Sequence, residues 1–380
     1  MNAQSSLYEK GPLRVGIVGA GMIATVPYGY LPGLAGAEGI EMAAITDAHR
    51  PAAERVAAAH DIPVVFDTLG EMLQSGAVDA VVNLTPAPVH HQVAMQVIDA
   101  GAHLVTEKPL ASTLDEADEI CRAARAKGVV VVAAPMDMLG SEWSEARRLV
   151  AGGAIGKVAF ARVQSSHAGA AAYAWPADPT QFYQAGVGSL MDMGVYGITR
   201  VTGVLGPARR VSAFSGVSSA TRVVEGGPFD GKVFDVNEAD NVVALLDFGD
   251  ATFAIIDATY NVLASRAPEM ELYGSQGTLV VNSPSVSEGL NLELYSVDAG
   301  PGLAGWVKPH PVSPFVAPDL TKTMARGSLV AHLRDCLRYD TSPVASAEHA
   351  RHVLEIMLAV RKSSLTGKAV EIRTSFPVGP

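Results

Sequence analysis

The chain has 380 residues, of which 48% are hydrophobic and 18% charged, and its formal net charge is -11. That length exceeds one ordinary core and implies two domains, and the composition is that of a chain that folds. The acidic balance, without clustered Lys and Arg, excludes a nucleic-acid surface, and no run approaches the ~18 uninterrupted apolar residues of a membrane span.

The opening "MNAQSSLYEK" has no apolar signal-peptide core, so a soluble cytoplasmic protein is expected. From Leu13 to about Ala134, short apolar strands alternate with helical segments. The strands are "LRVGIVG", "EMAAITD", "VVF", "AVDAVVNLT", "AHLVTE" and "VVVVAA", several with the continuous Val/Ile character of strands buried on both faces. Between them stand "RPAAERVAAAH", "LGEMLQSG", "PVHHQVAMQVIDAG" and "TLDEADEICRAARAKG", each with helical spacing. The pattern predicts a parallel α/β sheet of Rossmann type over residues 1-134.

After Pro135 the texture changes. A helix at "SEWSEARRLVAGG" leads into alternating runs, "GKVAFARVQSS", "RRVSAFSG", "NVVALLDFG", "ATFAIIDATY", "MELYG", "TLVVN" and "LELYS", separated by turn signals. These predict an α+β domain over residues 135-380 with a large, mostly antiparallel open sheet. "GSLMDMGVYGITRVTGVLG" and "SAEHARHVLEIMLAVRKS" are its covering helices, the second with Ala350, Val353, Ile356, Met357 and Val360 as one apolar stripe. The Pro/Gly/Ser-rich stretch from Ser283 to Met324 reads as surface loop.

Cys121 and Cys336, far apart and each in a helical pattern, read as buried free thiols. No metal site is expected: His90 and His91 diverge on a helix, and His349 and His352 lack a partner at ligand spacing.

The first motif with chemical content is "VGIVGAGMIAT". A strand runs into Gly19, Gly21 and Ala24, the G-x-G-x-x-A form of the dinucleotide fingerprint, with Met22 and Ile23 on the same cofactor-binding turn. Gly19 would allow the tight turn, Gly21 the approach of a pyrophosphate, and Ala24 close helix-strand packing. Asp47, at the end of the second strand, would accept from the adenosine ribose hydroxyls and favours NAD, while Arg50 nearby keeps NADP open. Its long offset from Gly19 is assigned to the inserted "PYGYLPGLAGAEG". The second motif, "NLTPAPVHH", leaves the C-terminal end of a strand, where open parallel sheets bind ligands. Thr85, Pro86 and His90 on it either shape the nicotinamide side of a cleft or form a plain loop with Thr85 as helix cap.

In order, the fingerprint, "TPAPVH", "IDAGAHLVTEKPLA", "GAIGKV" and "LYGSQGTL" resemble the Gfo/Idh/MocA oxidoreductases, over residues 13 to 373. The resemblance implies an NAD(P)-dependent enzyme moving a hydride between nicotinamide and a secondary hydroxyl of a sugar, cyclitol or related polyol, and a homodimer or homotetramer paired through the second sheet. It implies that Glu107 and Lys108 line the cofactor and substrate cleft, with a cis bond at Lys108-Pro109. It also puts Asp192 in the catalytic set, with Tyr196 at the position where most relatives have an acid/base His. A tyrosine in water, with a pKa of about 10, is a poor base near neutrality unless a nearby ammonium stabilises its phenolate. Lys108 is the expected ammonium, with Lys108 itself as proton carrier the competing assignment. His167, Trp175 and Tyr183 are weaker substrate-lining candidates. An NAD-dependent glycosidase of the same fold and a non-catalytic dinucleotide-binding regulator are the alternatives, and Lys108 argues against the second.

Overall fold

The computed structural model describes residues 11–282, 291–300, 302–309 and 326–378. These fall into two compact units, one within Met1–Gly140 and Ala317–Leu354, the other within Ser141–Val316 and Glu355–Pro380. The first boundary falls just past the expected cut at residue 134. The chain then returns to the first unit late, which no shift in composition announces.

The first unit runs β1 (Leu13–Val18), α1 (Met22–Thr25), α2 (Tyr30–Leu34), β2 (Ile40–Thr46), α3 (Arg50–Ala59), β3 (Val64–Val65), α4 (Leu69–Gln74), β4 (Ala80–Asn83), α5 (His90–Asp99), β5 (His103–Thr106), α6 (Leu114–Lys127) and β6 (Val131–Ala133). The sheet order is β3-β2-β1-β4-β5-β6, and every pairing is parallel. β4 and β5 are buried at every position, as strands covered on both faces must be. Local signals agree with this frame: Thr113 and Glu116 form a reciprocal capping box at the start of α6, and Gly128 closes it in the left-handed conformation. Strand order reverses at β1, which makes its C-terminal end the natural ligand crevice.

The insertion "PYGYLPGLAGAEG" is structural. Its α2 buries Tyr30, Leu31 and Leu34 in one cluster with Val15, Ile17 and Ile45 of the sheet and with Leu329, Val330 and Leu333 of a returning helix, Ser328–Tyr339. The helix Ala347–Thr366 follows, and the unit boundary falls within it.

The second unit contains α7 (Ser141–Ala151), β7 (Val158–Gln164), α8 (Val195–Leu205), β8 (Arg210–Gly216), β9 (Thr221–Val223), β10 (Val233–Asp235), β11 (Asn241–Gly249), β12 (Thr252–Thr259), β13 (Met270–Gly274), β14 (Gly277–Val281), β15 (Leu292–Gly300), β16 (Leu303–Val307) and β17 (Val370–Glu371). Its main sheet has the order β16-β15-β14-β13-β7-β12-β11-β8-β17, antiparallel except where β12 meets β7. The stretch expected to be surface loop from Ser283 to Met324 holds two sheet strands: β15, which begins at the expected run "LELYS", and β16, which was not expected. Its residues 283–290, 301 and 310–324 lie outside the described residues.

Side chains alternate across this sheet with the strand period of two. Val242, Ala244, Leu246, Ala254, Ile256 and Ala258 are buried, while Val243, Leu245, Phe253 and Ile255 are exposed. α8 packs against β7 and β12. In the helix Ala347–Thr366 the expected stripe is buried at Val353, Ile356, Met357 and Val360 and half-buried at Ala350. A smaller cluster joins Ala171, Tyr183, Val224, Phe234, Val236 and Tyr260 beside the main core.

Cys121 and Cys336 are free and buried, and burial pushes their thiols up to about 12 and about 11. Among the described residues no helix is long and apolar enough to cross a membrane, and no group of three or more His, Cys, Asp or Glu could hold a metal ion.

Candidate functional site

The glycine turn after β1 is fixed by its neighbours. Gly19 has φ +103, and a Cβ there would stand 2.8 Å from the Leu84 carbonyl oxygen, so no other residue fits. Gly21 precedes α1 and is exposed, with open space where its side chain would project, the room a pyrophosphate needs. Met22 and Ile23 are half-buried. Ala24 is fully buried in the sheet's core cluster, so it sets the helix-strand distance and does not reach a ligand.

Asp47 has a role in this turn that its spacing did not suggest. One carboxylate oxygen accepts from Ala20 N at 2.7 Å and the other from His49 N at 2.7 Å, so the side chain ties the end of β2 to the glycine turn. Each oxygen keeps a lone pair for a ribose hydroxyl. Arg50 is occupied: its guanidinium bonds Glu54 at 2.8 Å and also Asp67.

The loops after β4 and β5 are laced together from beneath. Asn83, fully buried and missed by sequence reasoning, accepts at Oδ1 from the Thr85 hydroxyl at 2.6 Å and from Thr85 N at 3.2 Å. Thr85 is therefore not a helix cap; Pro86 precedes the short turn Ala87–Val89 and no side chain caps it. His90 was expected on the cofactor side, but it is 1% exposed. Its Nδ1 lies 2.7 Å from the Pro109 carbonyl oxygen and its Nε2 lies 2.7 Å from that of Thr85. It braces the two loops from below.

Glu107 is likewise an anchor. Its buried carboxylate accepts from the Tyr30 hydroxyl at 3.0 Å, pairs with Arg326 Nε at 3.2 Å, and accepts from Lys108 N at 3.0 Å. The partner Arg326 is more than 200 residues away in sequence, beyond the reach of pattern reading. Lys108, next in the chain, is half-buried at the C-terminal end of β5, and the Lys108-Pro109 peptide is cis.

In the second unit, Asp192 lies in a π-helical turn, Leu190–Gly194, that runs into α8. The cause is visible in the hydrogen bonds. In a regular helix Gly197 N would donate to Met193 O. Instead the Ser165 hydroxyl stands between them, donating to Met193 O at 2.5 Å and accepting from Gly197 N at 3.0 Å. A Cβ on Gly197 would come within 2.8 Å of Ser165 Cβ, so the glycine is what admits the serine. Asp192 thus sits in a widened turn, and Tyr196, four residues on at the start of α8, is half-buried. Asp192 Oδ2 accepts from the hydroxyl of fully buried Tyr260 at 2.9 Å.

Of the three substrate-lining candidates, His167 is half-buried, and its Nδ1 accepts from Gly169 N at 2.7 Å, which leaves the ring proton on Nε2. Trp175 is half-buried with its indole edge-on to Phe182, and its Nε1 donor finds no partner among the described residues. Tyr183 is 0% exposed, and its hydroxyl accepts from Ala171 N at 3.3 Å. It belongs to the small core cluster and cannot line a cleft.

Comparison with known proteins adds to this geometry. Residues 13–134 match the oxidoreductase family with an NAD-binding Rossmann fold, and residues 143–280 match the GFO/IDH/MocA C-terminal domain. D-glucoside 3-dehydrogenase of Escherichia coli is 22% identical over 97% of this chain and 99% of its own. A scyllo-inositol 2-dehydrogenase (NADP(+)) of Bacillus subtilis is 26% identical over 71% of this chain and 76% of its own. Among solved structures, a levoglucosan dehydrogenase in complex with NADH superposes with a TM-score of 0.80 at 19% identity, over 96% of this chain and 100% of the other.

Proposed function

Since this chain belongs to the Gfo/Idh/MocA family of NAD-binding oxidoreductases, we propose that it oxidises a secondary hydroxyl of a sugar, cyclitol or related polyol to the ketone, or runs the reverse reduction. The observation that carries the reading is Lys108, a half-buried lysine just past the C-terminal end of a parallel strand, on a loop whose neighbours Glu107 and His90 are held by Arg326, Tyr30 and backbone carbonyls. Such bracing is what a group needs if it must meet one atom of a substrate.

Residues 19–24 and Asp47 fit a dinucleotide: a tight turn, a glycine open to space and a carboxylate with spare lone pairs. NAD bound there supplies the acceptor for the carbinol hydride. The chain's own task is to take the hydroxyl proton as the C=O bond forms. Tyr196 is the proposed acceptor of that proton, with Lys108 as a neutral amine the competing acceptor, and Asp192 the proposed anchor for a substrate hydroxyl, beside the His167 ring and the Trp175 indole N-H. The occupied Arg50 supports NAD over NADP. The apolar open face of the second sheet, with Phe214 85% exposed, supports pairing of subunits there as a homodimer or homotetramer.

The test is NADH formation with levoglucosan, scyllo-inositol, myo-inositol and methyl β-D-glucoside, beside release of p-nitrophenol from an aryl glucoside with catalytic NAD. Turnover of an alcohol with stoichiometric NADH is expected. Glycoside cleavage without net NADH would replace the reading with the glycosidase, and NAD binding without either reaction would replace it with a regulator.

A further inference from the structure

We propose that Tyr260 is the positioning residue of Asp192, a buried hydroxyl that keeps the carboxylate in its working orientation; the inference rests on the catalytic reading of Asp192 given above. Tyr260 directly follows β12, is fully buried, and sends its hydroxyl to Asp192 Oδ2 at 2.9 Å and to the Gly188 carbonyl oxygen at 3.2 Å. A phenol has one proton, and both neighbours are acceptors in their usual forms. With Asp192 ionised, the proton belongs to the charged acceptor, the stronger of the two. Should Asp192 take up a proton, Tyr260 can turn its own proton to Gly188 O and accept from the carboxyl, so neither state leaves a buried polar atom unmatched. Burial and the neighbouring carboxylate both push the phenol far above its ordinary range, which keeps Tyr260 a donor and rules it out as a base.

The ring is fixed as firmly as the hydroxyl. Tyr260 lies nearly parallel to the His167 imidazole at 5.4 Å between centroids, packs on Tyr183 at 5.0 Å, and has its backbone N-H bonded to Asp240 O at 2.8 Å. Asp192 needs this outside support because it sits in the π-helical turn, where the regular ladder is interrupted by Ser165. One residue thus touches two of the proposed substrate-facing groups, Asp192 through its hydroxyl and His167 through its ring. Nothing in the sequence around "IIDATYNVL" announces this role, since Tyr260 reads as an ordinary aromatic at a strand end.

The experiment uses the full-length protein with NAD and the most active alcohol of the panel above, comparing wild type, Tyr260→Phe, Asp192→Asn and the double variant. Tyr260→Phe should lower kcat roughly tenfold, with KM for NAD and the circular dichroism spectrum unchanged. The double variant should be no slower than Asp192→Asn alone, because a hydroxyl that acts only through the carboxylate has nothing left to do. In crystals of Tyr260→Phe the Asp192 carboxylate should leave its wild-type rotamer. Multiplicative effects in the double variant, or an unmoved Asp192, would overturn the proposal. If Asp192→Asn is as fast as wild type, or no alcohol of the panel is oxidised, the catalytic reading fails instead, and the crystal comparison still decides whether Tyr260 sets the carboxylate's position.

Discussion

The glycine turn after β1 and the π-helical turn before α8 both place proposed site residues by breaking regular geometry, but the breaks are caused from different distances. At Gly19 the break is local: the strand ends, φ turns positive, and the glycine pattern that allows it lies within six residues of sequence. At Asp192 the break is imposed from outside, by a serine at the end of β7 whose hydroxyl interrupts the helix ladder, and by a tyrosine that follows β12. A locally caused distortion leaves a motif. One caused by tertiary contact leaves only a glycine, Gly197, whose purpose is invisible until its neighbour is known.

The contrast can be broken first at its strongest point. Lys108→Met should lower kcat by roughly 10²- to 10⁴-fold, the range of a lost proton-transfer group, while the dissociation constant for NAD, read by fluorescence titration, stays nearly unchanged. Tyr196→Phe should behave similarly, and the double variant should be little worse than either single one if the two act as a unit. Near-normal turnover of Tyr196→Phe would leave Lys108 as the sole proton carrier. By contrast, Gly19→Ala should act on binding: forced to φ +103 with its Cβ against Leu84 O, alanine distorts the turn, and NAD affinity should fall by at least ~100-fold.

A second test asks whether stability is governed as locally as the glycine turn. His103 on β5 is 5% exposed and accepts from Val130 N at Nδ1, and burial holds its pKa down to about 4 from the ordinary 6.5. The folded protein keeps this imidazole neutral, whereas the unfolded chain binds a proton first as pH falls. Its contribution is therefore complete above about pH 6.5 and is lost progressively towards pH 4, by about 3 kcal/mol at 1.36 kcal/mol per unit. Thermal melts should show His103→Gln with a flatter midpoint profile than wild type between those pH values.

Much of the first unit was legible because its rules are periodic. Continuous Val/Ile runs gave buried parallel strands, Thr113 with Glu116 marked a helix start, and Gly19 with Gly21 marked the turn. What stayed hidden was whatever pairs side chains across the chain. Glu107 looked like a cleft residue because its partner Arg326 is distant, and His90 looked like a ligand contact because an imidazole between two carbonyls has no sequence signature. Tyr183 was an aromatic before a presumed catalytic helix, and only the clustering of Val224, Phe234 and Tyr260 around it reveals a core residue. The run "LELYS" announced β15, but the Pro/Gly/Ser composition around it hid β16, the edge strand that pairs with it.

Ser165→Ala tests the imposed turn with a smaller effect. It removes the hydroxyl that serves both Met193 O and Gly197 N, and these can then bond to each other and restore a regular ladder. The expected cost in stability is small, about 1 kcal/mol, but Asp192 should rotate back towards helical register, with kcat falling about tenfold and NAD affinity unaffected. An unchanged kcat would mean that the π turn has no part in setting Asp192.

The smallest expected effect concerns cofactor choice at the locally built end. Asp47 accepts from Ala20 N and His49 N, so Asp47→Asn must set an amide donor against one of two backbone donors, and NAD affinity should weaken about tenfold. Asp67→Asn acts more gently. It leaves Asp47 and the glycine turn intact but removes one of the two carboxylates that hold Arg50, freeing the guanidinium to meet a 2′-phosphate. The ratio of NAD to NADP dissociation constants should therefore rise by a few-fold, through tighter NADP binding at unchanged NAD affinity. If the ratio does not move, Arg50 is out of reach of the ribose, and the proposed preference for NAD rests on Asp47 alone.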